Sequence, residues 1–274
     1  MYNSLIEIMS LSFMQHAFMA AFFVSICIGI IGTFVVVNRM IFLAGGIAHG
    51  SYGGIGIAIY LGILPMFGAG IFAIILSFII AAISYKNSER IDPVIGAMWA
   101  AGMSIGIIFI DLTPGYHADI MSYLFGSIIS VASSDLWIMG MLDFLMLVLV
   151  SIFHKDLLAM SFDREFAKLR GVKDKILYYM LIVFIGISVI ITIRAVGLIL
   201  VIALMSIPPF IAERFSSSLY KMIYISTILT LIFTFSGLSI SYFYNISSGA
   251  TIILVASIVF FLYLSILKLI QYTK

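Results

Sequence analysis

Four histidines, one cysteine and twelve carboxylates supply most of the reactive groups in this 274-residue chain. Several lie where such side chains are costly. His49 falls inside a long apolar run among Gly45, Gly46, Gly50, Gly53, Gly54 and Gly56. A neutral imidazole there is a borderline ligand suited to zinc, manganese or iron. The plainer reading is a hydrogen-bonded histidine in a helix packed through small residues. Asp143 sits in the middle of another apolar run. A carboxylate at the centre of a membrane helix costs about 2.5–3.5 kcal/mol on insertion scales. It should therefore face a pathway as an oxygen ligand, or bond to a Ser or Tyr on a neighbouring helix. Asp111, His117 and Asp119 form a second cluster in the stretch D-L-T-P-G-Y-H-A-D. A turn at Pro114 and Gly115 could bring Asp111 back toward His117, and the group would attract cations. An ordinary polar loop is the alternative.

Other chemistry is disfavoured. Cys27, alone in the chain, excludes an internal disulfide or a multi-cysteine metal site and reads as a small buried hydrophobe. The 16 methionines are scattered without an M-x-x-M run, which argues against copper(I) handling. There is no H-E-x-x-H and no G-x-S-G, so no catalytic residue is assigned. Ser51 stands close to His49, which faintly suggests an intramembrane hydrolase. Residues two apart diverge on a helix, however.

The elements that must hold these residues are membrane helices. The chain is 64% hydrophobic and 9% charged, with a mean hydropathy of +1.25. A soluble domain carries about 25% charged residues. Apolar runs at 13–37, 41–64, 66–84, 93–111, 134–153, 175–193, 196–213, 219–240 and 249–270 are candidate spans, since about 20 residues cross the bilayer. The expected fold is an all-α, polytopic membrane protein with eight or nine transmembrane helices in one transmembrane domain over 1–274. Eight would result if one run were re-entrant or short. Asp92 before Pro93 supplies a helix start, and Asp135 reads as a cap. The segment 113–133 is an external loop whose apolar piece, 120–131, lies at the surface or dips in. The N-terminus lacks a basic region and does not read as a cleaved signal peptide.

With nine spans, one side receives Arg39, Lys86, Arg90, Lys155, Arg164, Lys168, Arg170, Lys173, Lys175, Arg214, Lys221, Lys268 and Lys274. The other receives Arg194 alone. That bias makes the basic side cytoplasmic, with the N-terminus outside and the C-terminus inside the cell membrane.

The loop 154–174 is the longest charged stretch. Phe162, Phe166, Leu169 and Val172 share one face at helical spacing. Ser161 or Asp163 can cap the start and Gly171 the end. The loop is either an amphipathic helix resting on membrane lipid or a short helix docking its apolar face on a soluble partner.

Four stretches in order now carry a resemblance. The loop reads F-D-R-E-F-A-K-L-R-G-V from Phe162, with Asp163, Glu165, Phe166, Leu169 and Gly171 in register. It is similar to the coupling helix of the ABC-3 family of metal-ion permeases, F-D-x-E-F/L-A-x-x-x-G-V. The stretch F-L-A-G-G-I-A-H ending at His49 resembles the family's F-L-G-D-A-x-S-H. Tyr123 to Gly126 reads Y-L-F-G, and V-G-L-I-L-V-I-A-L-M-S-I-P ends at Pro208. Both have family counterparts.

The resemblance implies a type II ABC importer permease. Two copies would form the pathway, a separate cytoplasmic ATPase would dock on the coupling helices, and an extracytoplasmic protein would deliver a divalent metal. The metal would be zinc or manganese, or else iron. No G-x-x-x-x-G-K-S/T occurs here, so ATP belongs to the partner, no cofactor is expected on this chain, and no nucleic-acid partner is expected. His49 matches the family histidine and Pro208 the family proline; the kink expected at Pro208 and Pro209 would be a gate hinge or a static bend. The family aspartate four residues before the histidine is Gly45 here. An ion-coupled secondary transporter acting alone is the rival, and it should show internal repeats.

Overall fold

The computed structural model describes residues 11–86, 91–114, 125–126, 128–198 and 201–272. Among them there is no strand. Eight helices are long and apolar enough to cross a membrane: Ser12–Val37, Ile41–Tyr60, Pro65–Tyr85, Asp92–Asp111, Ser133–Ile152, Asp174–Ile193, Leu219–Tyr244 and Ser248–Leu269. Each follows one of the apolar runs.

The first span is α1 (Ser12–Cys27), a π-helical turn (Ile28–Gly32) and α2 (Thr33–Val37). The second is α3 (Ile41–Gly50) and α4 (Tyr52–Tyr60), broken at Ser51. Then come α5 (Pro65–Lys86), α6 (Asp92–Asp111) and α7 (Ser133–Ile152). Asp92 is the first helical residue of α6, with Ile91 at the cap position. The α7 start is held by Asp135, whose Oδ2 accepts from the Ala132 N–H at 3.2 Å. The first span, the second and α10 (Asp174–Val196) are mostly buried, whereas α6, α7, α12 (Leu219–Tyr244) and α13 (Ser248–Tyr272) show most of their surface. The core of the bundle is therefore the helices that carry His49, Cys27 and Ser188.

The run 196–213 differs from a full span. It yields α11 (Val201–Arg214), only 14 residues or about 21 Å, against a hydrocarbon core of about 30 Å. The reason is a turn at Gly197, φ +79°. There the backbones of Gly126, Gly197 and Gly249 crowd together: a Cβ on Gly126 would strike the Gly197 nitrogen, and one on Gly249 the Phe125 carbonyl. Side chains would push these segments apart. The helix continues through Pro208 and Pro209, both buried, and a Cβ on Gly32 of the π turn would lie 2.8 Å from the Pro209 ring.

Of the two places offered for the apolar part of the external loop, the described part takes the inner one. Ile128–Ser130 is a 3-10 turn. It packs on α1, α10 and α13, and Ile128 and Val131 are buried.

Both bundle ends are defined by contacts. At one, Asn38 donates to Ser161 Oγ at 3.0 Å, His154 stacks on Tyr220 and Phe215 meets Tyr263. Arg39, Lys155, Arg164 and Lys221 gather there. At the other, Phe13 meets Tyr242 and Tyr60 meets Phe109.

Candidate functional site

Helix α3 places His49 against α6. Its imidazole stacks on the Trp99 indole, with ring centroids 3.9 Å apart and planes tilted 28°. Only 6% of the residue is exposed. Nδ1 lies 3.1 Å from the Gly45 carbonyl one turn back. A carbonyl only accepts, so Nδ1 carries the proton and Nε2 keeps its lone pair. Nε2 has no protein partner among the described residues. This is the tautomer a metal ligand uses, oriented by the bond at its other nitrogen. Trp99 is itself fixed by a bond from its Nε1 to Met103 Sδ at 3.2 Å.

The space at Gly45 is filled. A Cβ there would lie 2.7 Å from Ile202 Cδ1 and 3.7 Å from the Trp99 ring. An aspartate at this position would share the His49 face, and here α11 takes that volume with an apolar side chain. The glycines around His49 are packing residues, as Gly53 and Gly56 meet the Gly102 and Gly106 carbonyls of α6. Ser51 donates to the Ala48 carbonyl at 2.6 Å and forms no dyad with His49.

One turn from His49, toward the end of the bundle opposite the basic one, stands Tyr52, buried against Gly106. Asp111 is exposed at the C-terminal end of α6, five residues beyond Gly106. Asp111, Tyr52 and His49 thus follow one another along the helices of the α3–α4/α6 seam, from the end opposite the basic residues toward the middle. Sequence reasoning missed Tyr52, although its three-residue spacing from His49 is visible. His117 and Asp119 lie outside the described residues.

Asp143 is held elsewhere. It is 2% exposed, on α7, which packs on α1 and α10. Neither carboxylate oxygen has a hydrogen-bond partner among the described residues. The expected bond to a neighbouring Ser or Tyr is not formed. No three His, Cys, Asp or Glu side chains converge among the described residues.

The charged loop departs from one continuous helix. Phe162 ends α8 (His154–Phe162), and α9 (Arg164–Leu169) begins after an extended Asp163. Asp163 Oδ1 accepts from the Phe166 N–H at 2.9 Å, so Asp163 is the cap and Ser161 is not. Gly171, φ +79°, closes the helix while Val172 N–H reaches the Ala167 carbonyl. Phe162, Phe166 and Leu169 all face outward, Leu169 being 87% exposed. Glu165 pairs with Lys168 at 2.9 Å, a bond that raises the lysine's pKa.

Comparison with known proteins agrees with this architecture. An uncharacterised membrane protein of Synechocystis is 43% identical over 97% of this chain and 94% of its own length. The manganese transport system membrane protein MntC of Listeria monocytogenes is 31% identical over 93% of this chain and 91% of its own. The structure of PsaBC from Streptococcus pneumoniae in complex with Fab superposes with a TM-score of 0.85 at 30% identity, covering 96% of this chain and 95% of that one. The family described as the ABC 3 transport family matches residues 10–267. With its eight membrane-length helices, this chain belongs to the ABC 3 transport family.

Proposed function

We propose that the chain is the membrane permease of an ATP-driven importer of a divalent transition metal, with manganese the first candidate. The observation that carries this is the buried His49, with a fixed tautomer and a free Nε2, in a family whose relatives include a manganese transport protein. Zinc and iron(II) suit the same donor. Asp111 attracts the ion at the outer end, Tyr52 lines its route and His49 is the inner ligand. His117 and Asp119 would join Asp111 in that capture. Asp143, apart from the His49 seam, would be a further oxygen donor, since neither of its oxygens has a partner among the described residues. A sparse site of this kind releases its ion, as a pathway requires.

Two copies would flank the pathway, and an extracytoplasmic protein would deliver the metal. The exposed apolar face of Phe162, Phe166 and Leu169 would receive a separate ATPase subunit, with Asp163, Glu165 and Gly171 shaping that helix. The basic residues at that end support a cytoplasmic position for this helix, and the N-terminus would then lie outside. Movement of α11 about Pro208 would gate the inner end.

The test is uptake into proteoliposomes holding this chain, its ATPase and its binding protein, with manganese, zinc and iron(II) in competition. ATP-dependent accumulation of one metal supports the reading. Transport of none, or transport by this chain alone on an ion gradient, rejects it.

A further inference from the structure

The coupling surface is joined to the bundle by an unusual contact. Arg164, the first residue of α9, turns away from the exposed face. Its guanidinium carbon lies 4.5 Å from the Tyr85 ring centroid and 4.4 Å from that of Tyr178. Nε is 3.2 Å from Asp174 Oδ2. Tyr85 donates to the same carboxylate at 3.0 Å, and Tyr178 donates to Ser84 Oγ at 2.8 Å. The rest of α9 has little hold: Glu165, Phe166, Lys168 and Leu169 are exposed, and Ala167 is buried.

Tyr85 and Ser84 end α5; Asp174 and Tyr178 begin α10. These helices pack along each other, and both also touch α3, which bears His49. A cavity of about 330 Å³ beside the guanidinium, lined also by Arg39, Asn38 and Met160, leaves it room to tilt.

We propose that Arg164 is a positioning residue: the joint that passes movement of α9 to α5 and α10, and through them to the His49 seam. This rests on the reading of α9 as the ATPase-docking helix. A planar guanidinium suits the role because it stacks on two rings while pairing with a carboxylate. A lysine keeps the charge and loses the stacking.

The experiment uses the reconstituted complex with manganese as probe. It compares Arg164→Lys, Tyr178→Leu and Tyr178→Phe for ATPase co-purification, ATP hydrolysis and metal carried per ATP. R164K and Y178L should keep the ATPase bound and hydrolysing while metal per ATP falls about tenfold. Y178F keeps the ring and should stay near the wild-type ratio. An unchanged ratio in R164K and Y178L overturns the proposal. So does loss of ATPase binding in R164K, which would make Arg164 a docking residue, and so does a Y178F ratio as low as that of Y178L. Leu169→Asp separates the two ideas: if the ATPase stays bound, the docking reading itself fails.

Discussion

His49 shows how little the residue type alone decides. Its position in a glycine-rich apolar run was legible, and so was the departure at Gly45. What was not legible is what fills the gap, because Ile202 arrives from a helix far along the chain. The Gly45 carbonyl now orients the imidazole, and no carboxylate stands on that face. Gly45→Asp should therefore overpack the seam, costing about 1–3 kcal/mol. Adding Ile202→Ala should recover much of that loss. Thermal melts of the detergent-solubilised single and double variants check this, and equal losses in both would show that Ile202 is not the obstacle. Asp143 has two unpaired oxygens in an apolar setting. Asp143→Asn should leave the melting temperature equal or higher while lowering metal uptake. A large fall in stability would mean that the carboxylate serves the fold.

At the scale of elements, spans were readable because a bilayer imposes one length on every apolar run. Length is also where the reading ended. The run 196–213 is apolar enough to cross, yet Gly197 takes up its start, and composition carries no sign of three backbones meeting there. Gly197 has ψ 165° with its positive φ, a region open almost only to glycine. Gly197→Ala should cost about 1–3 kcal/mol, read as a lower melting temperature. An unchanged melt would show that the turn is relaxed.

The outward apolar face of the charged loop was legible at Phe162, Phe166 and Leu169, but Val172 packs on the core instead, and the break at Asp163 was not legible. Periodicity cannot see one extended residue. At the α7–α8 joint, His154 is buried against Tyr220, and that burial pushes its pKa below the ordinary 6.5. The folded chain thus binds this proton less well than the unfolded chain. Its contribution to stability is full above about 6.5 and declines as pH falls from there through the lowered folded value. His154→Phe should flatten the fall in melting temperature between about pH 7 and 5. An identical slope in the variant would assign the pH dependence to other groups.

For the whole molecule, the positions sort by depth. Asp111 lies at the end opposite the basic residues, His49 and Tyr52 on the seam between α3–α4 and α6, and Arg164 with the apolar face of α9 at the basic end. On the proposed function, energy applied at the basic end reaches the seam through packed helices, and α5 and α10 are a pair that touches both. The first measurement is therefore manganese uptake by proteoliposomes holding the chain, its ATPase and its binding protein, with His49→Ala alongside. The account predicts ATP-dependent uptake that falls about tenfold or more in the variant, while assembly and ATP hydrolysis persist. Full uptake in His49→Ala, or wild-type uptake indifferent to ATP, would contradict it.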